Sequence, residues 1–414
     1  MNAPLHSSMR RGACPGLSAP MATGDGLLAR LTPSGATIAL SAFGGLCAAA
    51  ARHGNGIVEV TSRGSIQVRG LTAASAGPFA AEVAALGIPA DEGVPVMPDP
   101  LSGLDETSLI DAGAIAGELR QAFAASSLVS RLSAKVSVIV DGGGALHLDD
   151  VAADVRLQAI QSDRFQMALG GTASTAVSIG AVPTGRAVEC TVRLFELLAA
   201  SAPQRMRNAV ESAGAAGFAS ALDGILEQAA APAGRPAAEP VGIHSLRSGD
   251  VAGIALPFGH SDADTLSRLT GEAERAGATG LRTAPGRALL FVGLPQGAAH
   301  GFAAHAASLG FIADLDDPRR RVIACAGAPI CASGEIPARA LAPVVARAVR
   351  AANVAGPIHV SGCAKGCAHP APTPLTIIGR AGACDIHVNG KLVSSAKADA
   401  LASALERLLK NGVA

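Results

Sequence analysis

The chain of 414 residues carries 33 basic and 33 acidic side chains, and 49% of its residues are apolar. This length predicts two to four compact units with filled cores, while the balanced charge and the absence of Trp and Tyr disfavour a nucleic-acid partner. The Ala-rich stretches are interrupted before they reach the roughly 20 residues of a membrane span, and no secretory signal opens the chain, so we expect a soluble, cytoplasmic protein with no membrane partner.

The predicted elements, followed in chain order, form an internal repeat with an offset of 223 residues. In each copy an alternating, β-branched pattern predicts a hairpin, at residues 56–68 and 279–291. Ala-rich helical patterns flank both hairpins, at 46–52, 79–86, 263–275 and 302–309. The identical positions are Arg52, Gly54, Gly70, Leu71, Phe79, Leu86 and Gly87, which return as Arg275, Gly277, Gly293, Leu294, Phe302, Leu309 and Gly310.

A further segment follows each copy of the repeat, at residues 100–231 and from 319 to the end. Both segments contain a β-rich run and both close on an amphipathic helix. These runs and helices lie at 135–140 and 192–200 in the first segment and at 358–361 and 398–409 in the second. Pro-rich stretches at 89–100 and 229–240 are typical of linkers. The whole pattern predicts an α+β fold in which two half-domains pair across a shared sheet.

Four cysteines near the C-terminus form the pattern C-x5-C followed, after 31 residues, by C-x3-C: Cys325, Cys331, Cys363 and Cys367. Four thiolates are the ligand set of an iron–sulfur cubane. Zinc is an alternative, but its hairpin knuckles usually hold two to four residues between cysteines. Free or disulfide-bonded thiols are a third reading, and an oxidising compartment is not expected for this chain.

With these cysteines and the duplication, the sequence resembles the sirohaem-dependent sulfite and nitrite reductase superfamily, and within it the precorrin-3B synthase family. The stretches that carry the second resemblance are residues 10–31, 51–71, 135–144 and 153–159. The resemblance implies two ferredoxin-like half-domains that pair into one unit, with two flanking α+β domains. The corresponding boundaries are 1–90 and 241–315 for the half-domains, and 100–230 and 319–414 for the flanking domains.

The resemblance also implies the cofactors and the reaction. It places a [4Fe–4S] cluster on the four cysteines, with Cys367 in the position that bridges to sirohaem iron in the reductases. For the precorrin-3B synthase family it implies oxygen-dependent hydroxylation of precorrin-3A at C20 with closure of a lactone, in aerobic cobalamin synthesis. A mononuclear non-haem iron is associated with that oxygen chemistry, and whether sirohaem fills the cavity stays open.

The resemblance further implies that the electrons for this reaction come ultimately from a reduced nicotinamide nucleotide. The glycine run at 142–144 lacks the context of a phosphate-binding loop, and no Rossmann unit is apparent. We therefore expect a separate NAD(P)H-dependent protein as electron donor. The mononuclear iron would favour a His/carboxylate ligand set, and the ten scattered histidines suggest none, although His369 lies two residues beyond Cys367.

Two departures from the reductase pattern bear on the substrate. The reductases bind their anion with a Lys-x-Lys pair, and the matching strand here reads Lys135-x-Ser137. A reductase arginine in an Asp-x-Arg-Pro element falls at Gly113, after Asp111. Each lost cation removes a charge-assisted hydrogen bond of roughly 1.5–3 kcal/mol. The pattern disfavours a small inorganic anion as substrate.

Five basic residues are candidates for binding the carboxylates of a precorrin: Arg63, Lys135, Arg69, Arg11 and Arg156. Arg63 matches a Thr-x-Arg element that contacts tetrapyrrole or substrate in the reductases, and its guanidinium suits carboxylates. Arg69 shares its strand face only if no bulge intervenes. Arg11 equally fits a solvated tail, and Arg156 equally fits a surface ion pair.

Two other functions remain open from the sequence. Assimilatory sulfite or nitrite reduction at sirohaem is the first alternative. An iron–sulfur electron carrier or a tetrapyrrole-binding chaperone is the second, because the scaffold would serve either without oxygen chemistry. The remaining cysteines, Cys14, Cys47, Cys190 and Cys384, show no paired spacing and read as buried thiols.

Overall fold

The computed structural model describes residues 15–91, 93–352, 354–369 and 371–410, so the predicted contact Arg11 and the thiol of Cys14 lie outside the described residues. The strands of the described chain are β1 (Met21–Thr23), β2 (Gly26–Leu31), β3 (Ile57–Val60), β4 (Ile66–Leu71), β5 (Val96–Pro98), β6 (Val138–Asp141), β7 (Ala153–Gln161), β8 (Arg164–Gly171), β9 (Val177–Pro183), β10 (Gly242–Leu246), β11 (Gly249–Ala255), β12 (His260–Asp262), β13 (Gly280–Ala284), β14 (Ala288–Leu294), β15 (Val322–Ala324), β16 (Ile358–Ser361), β17 (Leu375–Arg380), β18 (Ala383–Val388) and β19 (Lys391–Lys397).

The α-helices alternate with these strands throughout the chain. They are α1 (Leu40–His53), α2 (Ala76–Ala85), α3 (Ala112–Ala124), α4 (Ala187–Leu198), α5 (Met206–Ala213), α6 (Ala216–Ser220), α7 (Ala263–Arg275), α8 (Ala298–Ser308), α9 (Ala338–Ala352) and α10 (Leu401–Lys410). Within the described residues, none of the helices is both long enough and apolar enough to span a bilayer. The mixture of sheets and helices confirms the predicted α+β class.

The two copies of the repeat form two sheets rather than the single shared sheet that the sequence suggested. The first has the strand order β1-β2-β4-β3-β12, and the second has the order β10-β11-β14-β13. β12 belongs to the second copy by sequence but pairs with β3 of the first, and Ile38 forms a bridge to Leu281. One strand of the second copy thus extends the sheet of the first copy, and this pairing joins the two copies.

The helices of both copies pack on one core. α1 and α7 lie against each other, and a single apolar cluster contains Phe43 and Leu46 of the first copy with Leu266 and Phe291 of the second. Burying this shared surface is what stabilises the pair, because neither two-helix half covers its sheet alone.

Recurring glycines mark the same close approach in both copies. Gly70 and Gly293 have φ angles of 70° and 74°. A Cβ atom would lie 2.5 Å from Asn55 Cβ at the first position and 2.2 Å from Thr279 Oγ1 at the second. A side chain is therefore excluded at both, which explains physically why glycine returns at this offset.

The segment after the first copy folds around a sheet with the order β5-β6-β7-β8-β9. β5, β6 and β7 are parallel, and the remaining pairs are antiparallel. β5 lies inside the stretch that the sequence suggested to be a linker. Its proline is tolerated because β5 is an edge strand, where a missing N–H breaks no ladder.

The C-terminal segment repeats this arrangement with the order β15-β16-β17-β18-β19, in which the first three strands are parallel. The helix α9 packs against β15 and β16, and α10 packs against α9. The second Pro-rich stretch, at 229–240, lacks helix and strand as predicted. It is nevertheless fixed to the fold, because Arg235 pairs with the buried Asp141 and with Asp149.

Asp99 makes the free energy of unfolding depend on pH. It follows β5, is 1% exposed, and has a pKa raised to about 7, first by burial and further by Asp141 and Asp105. In the unfolded chain the same carboxyl has its ordinary pKa of 3.8. Between these values the folded protein binds more protons, so we expect the free energy of unfolding to fall as pH rises from about 4 to about 7.

Replacing Asp99 with Asn should remove this dependence, since an amide keeps an oxygen for the Gly142 N–H. At pH 8 the substitution should raise the free energy of unfolding by on the order of 2–4 kcal/mol, and at pH 4 it should have little effect. Denaturant unfolding at both pH values measures this, with the exposed Asp316→Asn as control. Equal slopes against pH in wild type and Asp99→Asn would contradict the assignment.

Candidate functional site

The two cysteine-bearing loops begin at neighbouring strand ends. β15 and β16 run parallel, with Ala324 opposite Val360, so their carboxyl ends lie at one edge of the sheet. Cys325 directly follows β15, and Cys363 follows β16 after Gly362. The Gly362 N–H donates to the Cys325 Sγ at 3.0 Å. The fold therefore brings together cysteines that lie far apart in the sequence.

The environment of Cys325 disfavours the ionised form of its thiol. Its pKa is raised, first by burial and further by the negative charge that Cys331 and Cys363 carry when ionised. The backbone N–H groups of Gly362 and Gly327 act in the opposite direction. Thiols that disfavour one another's ionisation in a half-buried site are stabilised as thiolates by a bound metal centre.

The other two cysteines lie in tight turns of the same loops. The Cys331 N–H donates to the Gly327 carbonyl at 2.7 Å, and the Cys331 carbonyl accepts from the Gly334 N–H at 2.8 Å. Cys367 follows Gly366, which has a φ of 61°, and it is the exposed member of the set. The cysteine that the resemblance places in the bridging position thus faces outward.

A buried histidine lies beside the second loop. His359 of β16 is 4% exposed, and its ring lies 6.0 Å from the ring of His369. Its Nε2 has no hydrogen-bond partner among the described residues. Burial, with the neighbouring His369, lowers the pKa of His359 to about 4, so the ring is neutral. A neutral imidazole with an unused nitrogen suits a polar group that enters this site.

The first cysteine loop lies against the first half-domain. The Gly24 N–H donates to the Ile330 carbonyl at 2.9 Å. A Cβ at Gly24 would lie 2.6 Å from the Pro329 oxygen, so glycine permits this approach. Nearby, Arg339 of α9 forms an ion pair with Glu59 of β3. The candidate metal centre is therefore adjacent to the sheet that carries the predicted substrate-binding arginines.

Arg63 lies at the tip of the β3–β4 hairpin, in a turn closed by the Thr61 N–H to the Ser65 carbonyl at 2.9 Å. Its guanidinium reaches the neighbouring sheet, where it donates to the Ala152 carbonyl at 2.8 Å and to the Ser137 Oγ at 3.2 Å. The residue keeps an exposed surface. The pKa of Arg63 is lowered, first because the surrounding protein removes its guanidinium partly from water and further by the positive charge of Arg205. Arg63 is therefore an exposed cation held where the first half-domain meets the first flanking sheet.

A buried carboxylate supports the surroundings of Arg63. Asp154 is 1% exposed and accepts hydrogen bonds from the Ser137 N–H at 2.9 Å, from the Met206 N–H at 2.8 Å and from the Arg205 Nε at 2.8 Å. It thereby fixes Ser137, which in turn contacts Arg63. The side chain of Arg205 is 34% exposed. Arg205 is thus a second, partly exposed cation near Arg63, ion-paired with Asp154, that the sequence did not indicate.

The other predicted substrate contacts differ in their placement. Lys135 is exposed and lies in the turn before β6, which begins at Val138 instead of Lys135. Arg69 is 6% exposed and pairs with Asp25 at 3.2 Å and Glu59 at 3.7 Å. The face argument for Arg69 fails, because Arg63 lies in the turn and not on the strand.

Arg156 is bound within the protein. It is 3% exposed, donates to the Leu148 carbonyl at 3.0 Å and lies 3.8 Å from Asp149. A guanidinium whose donors face carbonyls and a carboxylate has few left for a ligand. This arrangement favours a structural role over the predicted substrate contact for Arg156, and the ion pairs of Arg69 favour the same for that residue.

The positions that depart from the reductase pattern have structural roles. Ser137 holds Arg63 and Asp154, as described above. Asp111 caps the N-terminus of α3, where its carboxylate accepts from the Gly113 N–H at 3.0 Å and the Ala114 N–H at 3.3 Å. The two positions where the resemblance would place cations therefore carry the hydroxyl of Ser137 and, at Gly113, only a backbone N–H that donates to the capping Asp111.

Comparison with known proteins decides the family. The model of the nitrite/sulfite reductase ferredoxin-like half domain matches residues 19–86. The fold matches that of the Mycobacterium tuberculosis NirA protein with a TM-score of 0.75, over 93% of this chain and 80% of NirA, at 18% sequence identity. A protein named precorrin-3B synthase from a Sinorhizobium species is 38% identical over 411 residues, which cover 97% of this chain and 89% of that relative.

The chain belongs to the precorrin-3B synthase family. The predicted resemblance is confirmed, and the likeness to NirA confirms the duplicated reductase-like architecture. Membership makes the chain an enzyme related to the oxidoreductases of the sulfite and nitrite reductase superfamily.

The cysteine site fits an iron–sulfur cluster of the kind usual in this superfamily. The two cysteine-bearing loops start at one edge of the sheet, and a backbone N–H donates to the Cys325 sulfur, a contact that tunes cluster potentials. Across the described residues, no group of three or more His, Cys, Asp or Glu side chains converges on the position of one metal ion. A cubane does not require such convergence, because each thiolate binds a different iron.

Proposed function

We propose that this chain is a precorrin-3B synthase: an oxygen-dependent monooxygenase that hydroxylates precorrin-3A at C20, with closure of a lactone, in cobalamin synthesis. The observation that carries the proposal is 38% identity to a relative of that name along 97% of the chain. One oxygen atom enters the product and the other leaves as water, which requires two electrons. NAD(P)H supplies them through a separate donor protein.

The cysteine set is proposed to hold a [4Fe–4S] cluster, which when bound supplies single electrons. Cys325, Cys331, Cys363 and Cys367 are its ligands. The Gly362 N–H reduces the negative charge on the Cys325 sulfur and so favours the reduced state. A mononuclear iron for the oxygen chemistry and the cytoplasmic location remain predictions from the sequence.

Arg63 is proposed to bind a carboxylate of the substrate, and Lys135, which is exposed and precedes Ser137 by two residues, is proposed as a second contact. Ala152 and Ser137 take up part of the Arg63 hydrogen-bonding capacity and hold the guanidinium in place. The planar fork then presents its remaining N–H groups to a carboxylate. A single charge-assisted hydrogen bond to one carboxylate does not fix the orientation of a substrate that carries several carboxylates. Several such bonds together are needed to position the reacting carbon.

Turnover under labelled oxygen tests the function. The anaerobically purified holoprotein, supplied with precorrin-3A, a reducing system and 18O2, should form a product that carries one labelled atom, as measured by mass spectrometry. The visible spectrum should show a broad cluster band without haem features. Sharp sirohaem bands with turnover of sulfite or nitrite, and no product from precorrin-3A, would replace the proposal with the reductase alternative.

A further inference from the structure

The tips of the two repeated hairpins touch each other. The Gly286 N–H of the β13–β14 turn donates to the Ser62 carbonyl of the β3–β4 turn at 3.1 Å. A Cβ at Gly64 would lie 3.3 Å from the Ala284 carbonyl carbon. The turn that carries Arg63 and its counterpart in the second copy therefore form one continuous seam.

The counterpart turn contains an arginine in a glycine conformation. Both hairpins close with three-residue loops, a turn type that prefers glycine in the left-handed region at its last position. In the first copy that position is Gly64, with a φ of 81°. At the repeat offset of 223 residues it becomes Arg287, with a φ of 66°. An arginine held where glycine is favoured indicates a role for the side chain.

The side chain of Arg287 lies across the turn that precedes β12. An ideal Cβ at Gly259 would lie 2.7 Å from the Arg287 Cδ, 3.1 Å from its Nε and 3.1 Å from the Val60 carbonyl oxygen. Phe258 of the same turn packs on the core of the cysteine-bearing unit. Arg287 therefore reaches from the second copy to the place where the first copy meets the C-terminal sheet.

The guanidinium of Arg287 has no counter-charge within the part of the chain that the structure describes. It is half-buried, and no hydrogen-bond or ion-pair partner for it occurs among the described residues. Its pKa is lowered, and burial is the cause. An unpaired cation that is partly removed from water is unfavourable, whereas the same cation opposite a bound carboxylate is stabilised.

We propose that Arg287 binds a carboxylate of the substrate, so that the two copies of the repeat each contribute one arginine from adjoining hairpin tips. The inference rests on the proposed function for the identity of the substrate. This role explains both the left-handed backbone of Arg287 and its unpaired guanidinium, because a carboxylate of the bound ligand would be the missing ion-pair partner. A small inorganic anion would not need cations from both hairpins.

Arg287→Gly is the decisive variant, because it removes the guanidinium and at the same time places the favoured residue in this turn. In the holoenzyme we expect an unchanged or higher melting temperature, unchanged iron content, and KM for precorrin-3A raised about 10- to 100-fold. The Kd for uroporphyrin III, a stable octacarboxylate tetrapyrrole, should rise similarly. Arg287→Lys keeps the positive charge but not the bidentate guanidinium, so its KM and Kd should lie between those of the wild type and those of Arg287→Gly.

Asn389→Gly is the matched control. Asn389 also has a left-handed backbone, with a φ of 48°, but lies in the exposed β18–β19 turn. It should leave KM and Kd unchanged. If the wild type is active and Arg287→Gly has the same KM and Kd, the role of Arg287 would be refuted, while the proposed function would stand. A wild type that fails to convert precorrin-3A, yet binds uroporphyrin III in an Arg287-dependent manner, would support Arg287 and remove the proposed function.

Discussion

Cys363→Ser is expected to eliminate the iron–sulfur cluster and to lower turnover by more than about 100-fold. Serine is a poor ligand for iron in such a cluster, and changes beyond the direct ligands already reduce metal affinity or activity by up to about 100-fold. Iron and acid-labile sulfide analysis of anaerobically purified protein, with the visible spectrum, measures the loss. Cys363 begins the loop after β16, so the backbone should tolerate the change.

Cys190→Ala provides the control for this experiment. Cys190 is a fully buried thiol on α4, inside the apolar core of the first flanking sheet. Its substitution should leave iron, sulfide and turnover at wild-type values, with a modest cost in stability from the lost packing. If Cys363→Ser kept its cluster and activity, the ligand assignment would be wrong, whatever the control showed.

Arg63→Ala is expected to weaken the binding of precorrin-3A strongly while leaving the iron content intact. The loss of a charge-assisted hydrogen bond corresponds to about 1.5–3 kcal/mol, and hence to a KM about 10- to 150-fold higher. The substitution also leaves the Ser137 hydroxyl and the Ala152 carbonyl without this donor. Water can replace it there, because the side chain of Arg63 is exposed.

Steady-state kinetics and equilibrium binding of uroporphyrin III separate this effect from misfolding. Arg207→Ala is a suitable control, because Arg207 is 73% exposed on α5 and forms a surface ion pair with Glu211, a type of contact that contributes little. An unchanged KM in Arg63→Ala would refute the carboxylate-binding role. A matching loss of iron would instead indicate that Arg63 supports the cluster-bearing unit.

The repeat and the local elements were predictable because their signals are local. The helix at 263–275 was predicted with the bounds that the structure has, and the run at 358–361 coincides with β16. The prediction failed where tertiary contacts override composition. β5 lies in a Pro-rich stretch because the neighbouring β6 offers it a parallel partner, and β12 leaves its own copy to pair with β3.

The candidate site was predictable to a lesser degree. Residue type and spacing indicated the cysteines, since a soft-metal ligand set is recognisable without a fold. Arg69 and Arg156 were chosen for their charge, and nothing in the sequence reveals that Asp25, Glu59 and backbone carbonyls take up their donors. Arg205 and His359 were missed for the same reason, because their significance lies in partners distant along the chain. The domain boundaries stay predictions.

The sequence by itself indicated the duplication, the α+β class, the four candidate cysteine ligands and the family, because each depends on identities at fixed spacings. The tertiary structure alone decided which candidate cations stay exposed and which are neutralised inside the protein. It also placed Arg287 beside the Arg63 turn, since contact between two hairpin tips depends on how the two copies pack. The physical reason is that residue spacing can be read directly from the sequence, whereas hydrogen bonds and ion pairs between distant segments form only when the chain folds.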